Sequence, residues 1–219
     1  MAISWSHTSL KDFENCPRKY HETRVLKKHP FVETEQTRYG NELHKAAEQF
    51  VKGTPLPKQF SFLQPTLTAL MEKQGTKHAE LKLAATVDYE PCEWFDKKAW
   101  VRGIVDLLIL DEPNKIAWVV DYKTGNNKYP DREQLDLMSL LTFIHYPQIE
   151  RVNAALLFVL KESVTKHKVT IDMRSSLQQR YRERVASIEA CMSNNVWNPK
   201  QSGLCPWCPV KSCEFHPEH

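Results

Sequence analysis

The sequence predicts an α/β fold in which a mixed β-sheet is flanked by helices. Two observations carry this. The stretch from Trp100 to Thr124, WVRGIVDLLILDEPNKIAWVVDYKT, holds two runs rich in Val, Ile and Leu, with turn chemistry in Asp111-Glu112-Pro113-Asn114-Lys115 between them. After this hairpin come a helical pattern and then Val152 to Leu160, VNAALLFVL, whose nearly unbroken apolar character suits a strand covered on both faces. Strand, helix and strand in that order make a crossover of the βαβ kind.

The totals agree with a soluble globular protein. Of 219 residues, 41% are hydrophobic and 26% charged, enough for one large domain or two small ones. The net charge of +3 neither demands nor excludes nucleic acid, because a local basic groove can hide in a mild total. No basic segment leads into an apolar core at the N-terminus, and no apolar run approaches the ~20 residues of a membrane span. The expectation is an intracellular protein, cytoplasmic or nucleoid-associated, with no membrane partner. In such a protein the six cysteines suggest metal ligands rather than disulfides.

In chain order, Ser6 to Cys16 reads as a short helix with Ser6 as N-cap and Leu10 and Phe13 on its apolar face. Arg38 to Val51 is a second helix, with Leu43, Ala46, Ala47 and Phe50 as its buried stripe and His44 beside it. After the Pro/Gly connection at 53–58, Ser61 to Gln74 reads as a helix and Glu80 to Tyr89 as a strand. Glu80 is at that strand's start, where a solvated end is the plain reading and a site acid the lesser one. The hairpin strands are Val101 to Leu110 and Ile116 to Tyr122. Asp131 to His145 is a helix directing Leu135, Leu137, Met138 and Leu141 to the core, with Gln134 on its first turn. His167 to Met173 is a further strand. Arg174 to Met192 is a long helix with Leu177, Tyr181, Val185, Ile188 and Met192 on one face.

Two carboxylates interrupt the apolar hairpin, Asp106 and Asp121, and Lys123 follows the second by two residues. Alternation points Asp121 and Lys123 the same way. A carboxylate inside an apolar strand is costly unless it is paired or binds a cation. The plainest reading is an Asp121–Lys123 ion pair. A converging pair of acids with a lysine beside them is also a place for a divalent metal and a phosphate.

Gly103-Ile104-Val105-Asp106 followed by Asp121-Tyr122-Lys123 resembles the core of the PD-(D/E)XK nuclease superfamily. Gly40-x-x-x-His44-x-x-x-Glu48 resembles the helix that precedes this core in its Cas4-like and RecB-like members. The resemblance implies a restriction-endonuclease-like sheet, in a single domain over 1–219. It implies a Mg²⁺ or Mn²⁺ site formed by Asp106, Asp121, the carbonyl of Tyr122 and His44, with Lys123 orienting the attacking water. The imidazole favours Mn²⁺, since Mg²⁺ prefers oxygen. Gln134-Leu135-x-Leu137 resembles the family's Q-L-x-x-Y motif, whose glutamine contacts the scissile region. The family's tyrosine falls at Met138 here.

The C-terminus carries Cys205, Cys208 and Cys213 in a C-x2-C-x4-C pattern, and Cys16 precedes a proline far upstream. One cysteine near the start and three at the end is similar to the iron–sulfur members of the superfamily. That implies a [4Fe–4S] cluster held by Cys16, Cys205, Cys208 and Cys213, joining the N- and C-terminal ends of the chain. Zn²⁺ on four thiolates, or on three with His216 or His219, is the other reading.

The expectation is a metal-dependent deoxyribonuclease acting on single-stranded DNA or on DNA with free ends, as a homo-oligomer or within a larger DNA-processing complex. A catalytically inactive, metal-stapled nucleic-acid-binding protein is the alternative. A zinc-bearing interaction protein is a third.

Overall fold

The computed structural model describes residues 4–218. His219, considered above as a ligand, lies outside the described residues. The chain divides into two compact units, residues 4–32 with 179–218, and residues 33–178.

In the first unit, α1 (His7–Asn15) starts at Ser6, whose hydroxyl accepts from Ser9 N while the Ser9 hydroxyl accepts from Ser6 N. This reciprocal box satisfies two of the amide donors that a helix start leaves open. Cys16, in extended conformation, separates α1 from the one-turn α2 (Pro17–Tyr20). The C-terminal part of α6 (Arg174–Asn194) belongs to this unit. Trp5 lies against Tyr181, with ring centroids 5.6 Å apart, and Trp197 meets Phe13, Tyr20 and His21. The Arg184 guanidinium donates to both oxygens of Glu14, at 2.7 and 2.9 Å. Arg18 donates to the Ser212 carbonyl, and Lys200 to the Glu14 carbonyl. The N-terminal helices and the C-terminal tail are thereby tied together within one unit.

The second unit is built on a six-stranded sheet. Its strands are β1 (Thr76–Ala85), β2 (Pro91–Cys92), β3 (Val101–Asp111), β4 (Ile116–Lys123), β5 (Arg151–Phe158) and β6 (Ser163–Thr170), in the order β2-β1-β3-β4-β5-β6. Among the described residues only β4 and β5 pair in parallel, and α5 (Arg132–His145) connects them. The fold is thus the mixed α/β sheet flanked by helices that the pattern predicts.

On one face, α3 (Glu35–Val51), a 3-10 turn (Lys58–Leu63) and α4 (Gln64–Met71) cover the sheet. Leu43, Ala47, Phe60 and Leu67 pack on Leu107, Ile109, Val120 and Tyr122. Helix α5 lies on the other face and is buried continuously from Leu135 to Ile144, with Asp136, Ser139 and Thr142 among the apolar residues, so its burial runs all round rather than as a stripe. It approaches the sheet at Gly103, where a Cβ would sit 2.7 Å from Leu141 Cδ1 and 2.7 Å from Met138 Cε. Glycine is needed there for the helix to lie this close.

Several boundaries differ from the sequence reading. Helix α3 begins a turn earlier, because Thr34 and Thr37 form a second reciprocal cap. The Ser61–Gln74 helix is instead a 3-10 turn followed by α4, and Pro65 sits in the first turn of α4, where its missing N–H is harmless. Strand β1 starts at Thr76, not Glu80, so Glu80 lies in mid-strand. The last strand is Ser163–Thr170, and Ile171–Met173 is a 3-10 turn. Among the described residues no helix is long and apolar enough to cross a membrane.

Candidate metal site

The site forms where the ladders part. Strand β1 pairs with β3 on either side of Glu80 and Asp106 but not through them, and Glu80 adopts a left-handed φ of 49°. The β3–β4 ladder begins only at Leu107–Val120. Beyond that point Tyr122 N–H has no β3 carbonyl to bond, and it donates to Asp106 Oδ2 at 2.7 Å instead. The carboxylate thus takes the place of a ladder carbonyl, which fixes it and leaves it 8% exposed.

Helix α3 brings His44 over this gap. His44 Nε2 lies 3.0 Å from the Tyr122 carbonyl, and a carbonyl can only accept, so Nε2 carries the proton. That turns Nδ1 toward Asp106 Oδ2 at 3.3 Å and Glu80 Oε1 at 3.8 Å. In the neutral ring Nδ1 would present a lone pair, so the Tyr122 carbonyl orients His44 as a ligand in the manner of an outer-shell partner. His44, Glu80 and Asp106 offer ligand atoms within 4.8 Å of one another, and this triad could hold a metal ion.

A second group adjoins the triad. Asp121 Oδ2 lies 2.7 Å from Lys123 Nζ, as alternation on β4 requires. Lys123 donates to Gln134 Oε1 at 2.8 Å, and Gln134 Nε2 donates to Asp121 Oδ1. Asp121, Lys123 and Gln134 therefore close a ring of contacts between β4 and the first turn of α5. Within it Asp121 Oδ2 is buried and lacks an aligned hydrogen bond, since the lysine meets it as an ion pair only. A buried carboxylate oxygen with unused lone pairs beside three ligand atoms is what a cation site requires.

The electrostatics fit an ion-seeking site. Burial, then the nearby Asp106 charge, pushes the Asp121 carboxyl up to about 6, although Lys123 and His44 pull against the rise. Burial would lower His44, but the carboxylates of Asp106 and Glu80, with Asp121 behind them, outweigh it and push His44 up to about 10. Without a cation, the imidazolium and the Lys123 ammonium hold three acids together.

The structure thus brings His44, Asp106 and the Tyr122 carbonyl into one cluster and sets Asp121, Lys123 and Gln134 directly beside it. Gln134 faces Lys123 and Asp121 rather than open solvent. Met138 is 4% exposed and packs against Gly103. The residue that the sequence reading set aside as a solvated strand end is Glu80. Extending the β1 pattern back to Thr76 puts this acid inside the strand, and an acid within a strand is the available signal. A groove of about 430 Å³ lined by Gly40, Asn41, His44, Lys45, Glu48 and Glu80 leads to the triad.

In the first unit, Cys16, Cys205, Cys208 and Cys213 line one small cavity of about 50 Å³, with His216 also in its wall. Cys16 Sγ accepts from Lys19 N and Lys200 N, at 3.5 and 3.4 Å, and Cys205 Sγ from Ser202 N at 3.3 Å. Cys92 on β2 and Cys191 on α6 are not among its lining residues.

Among solved structures, the chain is similar to a protein from Eubacterium rectale described as an exonuclease, at 14% identity and a TM-score of 0.54, with 93% of this chain and 86% of that one covered. The crystal structure of SSO0001 aligns at 13% identity and a TM-score of 0.45, covering 99% of this chain and 87% of that one. No curated protein matches by sequence. The family description that matches, over residues 4–213, is the PD-(D/E)XK nuclease superfamily. With nearly the whole chain matched and an acid–histidine triad at the parting of its central strands, this protein belongs to the PD-(D/E)XK nuclease superfamily.

Proposed function

We propose that this protein is a Mg²⁺- or Mn²⁺-dependent deoxyribonuclease of the Cas4/RecB-like branch, cutting single-stranded DNA or DNA at free ends in recombination, repair or phage and CRISPR DNA processing inside the cell. The observation that carries the reading is the convergence of His44, Glu80 and Asp106 beside a lysine held by both Asp121 and Gln134. His44 Nδ1, Glu80, Asp106 and the free lone pairs of Asp121 would hold the cation. A bound cation supplies charge neutralisation at the scissile phosphate and an acidified water. Lys123 supplies a fixed ammonium. Held by Gln134 Oε1 and Asp121, it can donate to the attacking water or to the phosphate oxygens as their charge grows. Gln134 sets the position of Lys123, and the Tyr122 carbonyl sets the ring of His44.

The four-cysteine cavity supports a [4Fe–4S] cluster as a structural staple. Its amide donors aim at sulfur, which favours thiolates. A single zinc ion draws its ligating sulfurs to about 2.3 Å from the metal, and so close to one another. Zn²⁺ on the same thiolates is the alternative.

The test is cleavage of end-labelled single-stranded and duplex DNA by anaerobically purified protein in Mg²⁺, Mn²⁺ or EDTA. Wild type should cut only with metal, and Lys123→Ala and Glu80→Ala should each lose at least a hundredfold in rate while remaining folded. Cutting retained by both variants would overturn the assignment. Iron and sulfide analysis of the same protein, with absorbance near 400 nm lost in Cys205→Ser, tests the cluster. Stoichiometric zinc in place of iron would overturn that part alone.

A further inference from the structure

Outside the metal site, β4, β5 and β6 form a cleft with α4 that nothing in the proposed chemistry uses. Its volume is about 570 Å³. The pairing registers make its floor two rows across three strands, Trp118–Asn153–Lys168 and Val120–Ala155–Lys166, with Leu157 and Val164 at its end. Both rows end in a lysine. Lys73 reaches in from beyond the end of α4, its Nζ 5.1 Å from the centre of the Trp118 ring. Among the described residues no aspartate or glutamate lines the cleft. Among the described residues, Lys166 and Lys168 have no ion-pair partner. His167 between them turns to the opposite face and bonds Asp136. Charges on the exposed face of an edge strand also discourage sheet-to-sheet association, but that role requires neither an aromatic floor nor a third lysine from another element.

We infer that this cleft binds a single nucleic-acid strand away from the scissile bond, with its phosphates on Lys166 and Lys168 and a base against Trp118. The inference rests on the nucleic-acid reading of the metal site. Lys166 and Lys168 are two residues apart on one strand, about 6.7 Å, and successive phosphates of an extended strand can match that spacing. A base stacked on an aromatic ring beside cations is the sequence-tolerant mode of single-strand binding. An acidic peptide would match the lysines and leave the tryptophan unexplained. The cleft lies on the α3 side of the sheet, the side from which His44 reaches the metal site, and the row beyond it contains Tyr122. A strand held there lengthens the substrate footprint, and short substrates do not reach it.

The experiment compares wild type, Lys166→Glu/Lys168→Glu and Trp118→Leu, with folding checked by circular dichroism. Binding of a labelled 30-nucleotide single strand is followed by anisotropy in EDTA over a range of salt. Cleavage of a four-nucleotide substrate is measured with Mn²⁺. The double reversal should weaken binding of the 30-mer at least tenfold and lower its log–log salt slope by about 1.4, two contacts at about 0.7 each. Trp118→Leu should weaken it severalfold without changing the slope, and the double reversal should cut the four-nucleotide substrate as wild type does. Unchanged binding of the 30-mer in the double reversal overturns the inference. So does reversal-sensitive binding of free dTMP with 30-mer binding intact, which makes the cleft a mononucleotide site. Equal loss of poly-L-glutamate and DNA binding, with Trp118→Leu harmless to both, makes it a peptide surface and also overturns the inference. A wild type that cuts nothing, yet binds the 30-mer through these lysines, keeps the cleft and removes the nuclease reading.

Discussion

Replacing Asp121 with asparagine should make the metal-free protein more stable while abolishing its activity. The carboxyl is 5% exposed and its acid range is displaced from 3.8 up to about 6, first by burial and then by Asp106. A group raised in the folded state contributes stability that is fully present below its unfolded value and lost as pH rises through its folded value. Above pH 6 the ionised Asp121 therefore burdens the fold by about 3 kcal/mol, two units and a little more at 1.36 kcal/mol each. Asparagine removes that charge. It also turns an amide N–H toward Lys123 or Gln134, which returns about 1 kcal/mol. A net gain of about 2 kcal/mol should raise the melting temperature at pH 8 in EDTA by about 4–8 °C for a chain of this size. The gain should shrink to about zero at pH 4.5, where the wild-type carboxyl is protonated in the fold and the remaining burden of about 1 kcal/mol only offsets the cost of the amide. Excess Mn²⁺ should stabilise wild type more than the variant. Thermal melts at the two pH values decide the matter. A variant less stable than wild type at pH 8, or a gain that ignores pH, would refute the reasoning.

Other consequences are as direct. His44 is held protonated to about pH 10 by its carboxylates, and it must lose that proton to ligate a cation. Titration of Mn²⁺ at pH 7.5 in buffers of different ionisation enthalpy should therefore show about one proton released per ion. His44→Gln should release almost none, and wild-type affinity should rise with pH between 7 and 9. Gln134→Ala frees Lys123 from its only oriented side-chain acceptor among the described residues, and kcat should fall about 10–100-fold with folding unchanged, as for loss of a positioning group. Gly75 has φ 117°, and a Cβ there would lie 2.3 Å from the Leu110 carbonyl oxygen, whereas Gly53, at φ 94°, faces open space. Chemical denaturation should find Gly75→Ala costing more than about 2 kcal/mol and Gly53→Ala only about 1.

The hairpin, the crossover helix and the parallel strand after it were legible because each is long and strongly patterned. So was the shared face of Asp121 and Lys123, which period-two geometry dictates and the 2.7 Å contact realises. Glu80 was not legible, for a physical reason. It sits where β1 breaks its own pattern, with a left-handed φ and an interrupted ladder, so alternation gives no guide through it. Gln134 was legible through its motif alone, since its partners come from another strand and nothing local sets it apart from other first-turn glutamines. The split of the expected 61–74 helix was signalled only by Pro65. The cleft lysines were invisible because their row exists only after β4, β5 and β6 are in register.

The bond from the Tyr122 amide to Asp106 has an experimental use of its own. Nearly every other N–H of β4 reports on the sheet, but this one reports on a charge. When a cation draws on Asp106, the carboxylate becomes a poorer acceptor, and the Tyr122 proton should shift upfield and exchange faster with solvent while its neighbours stay still. A single amide resonance would then read the loading of the metal site in solution, without substrate and without turnover.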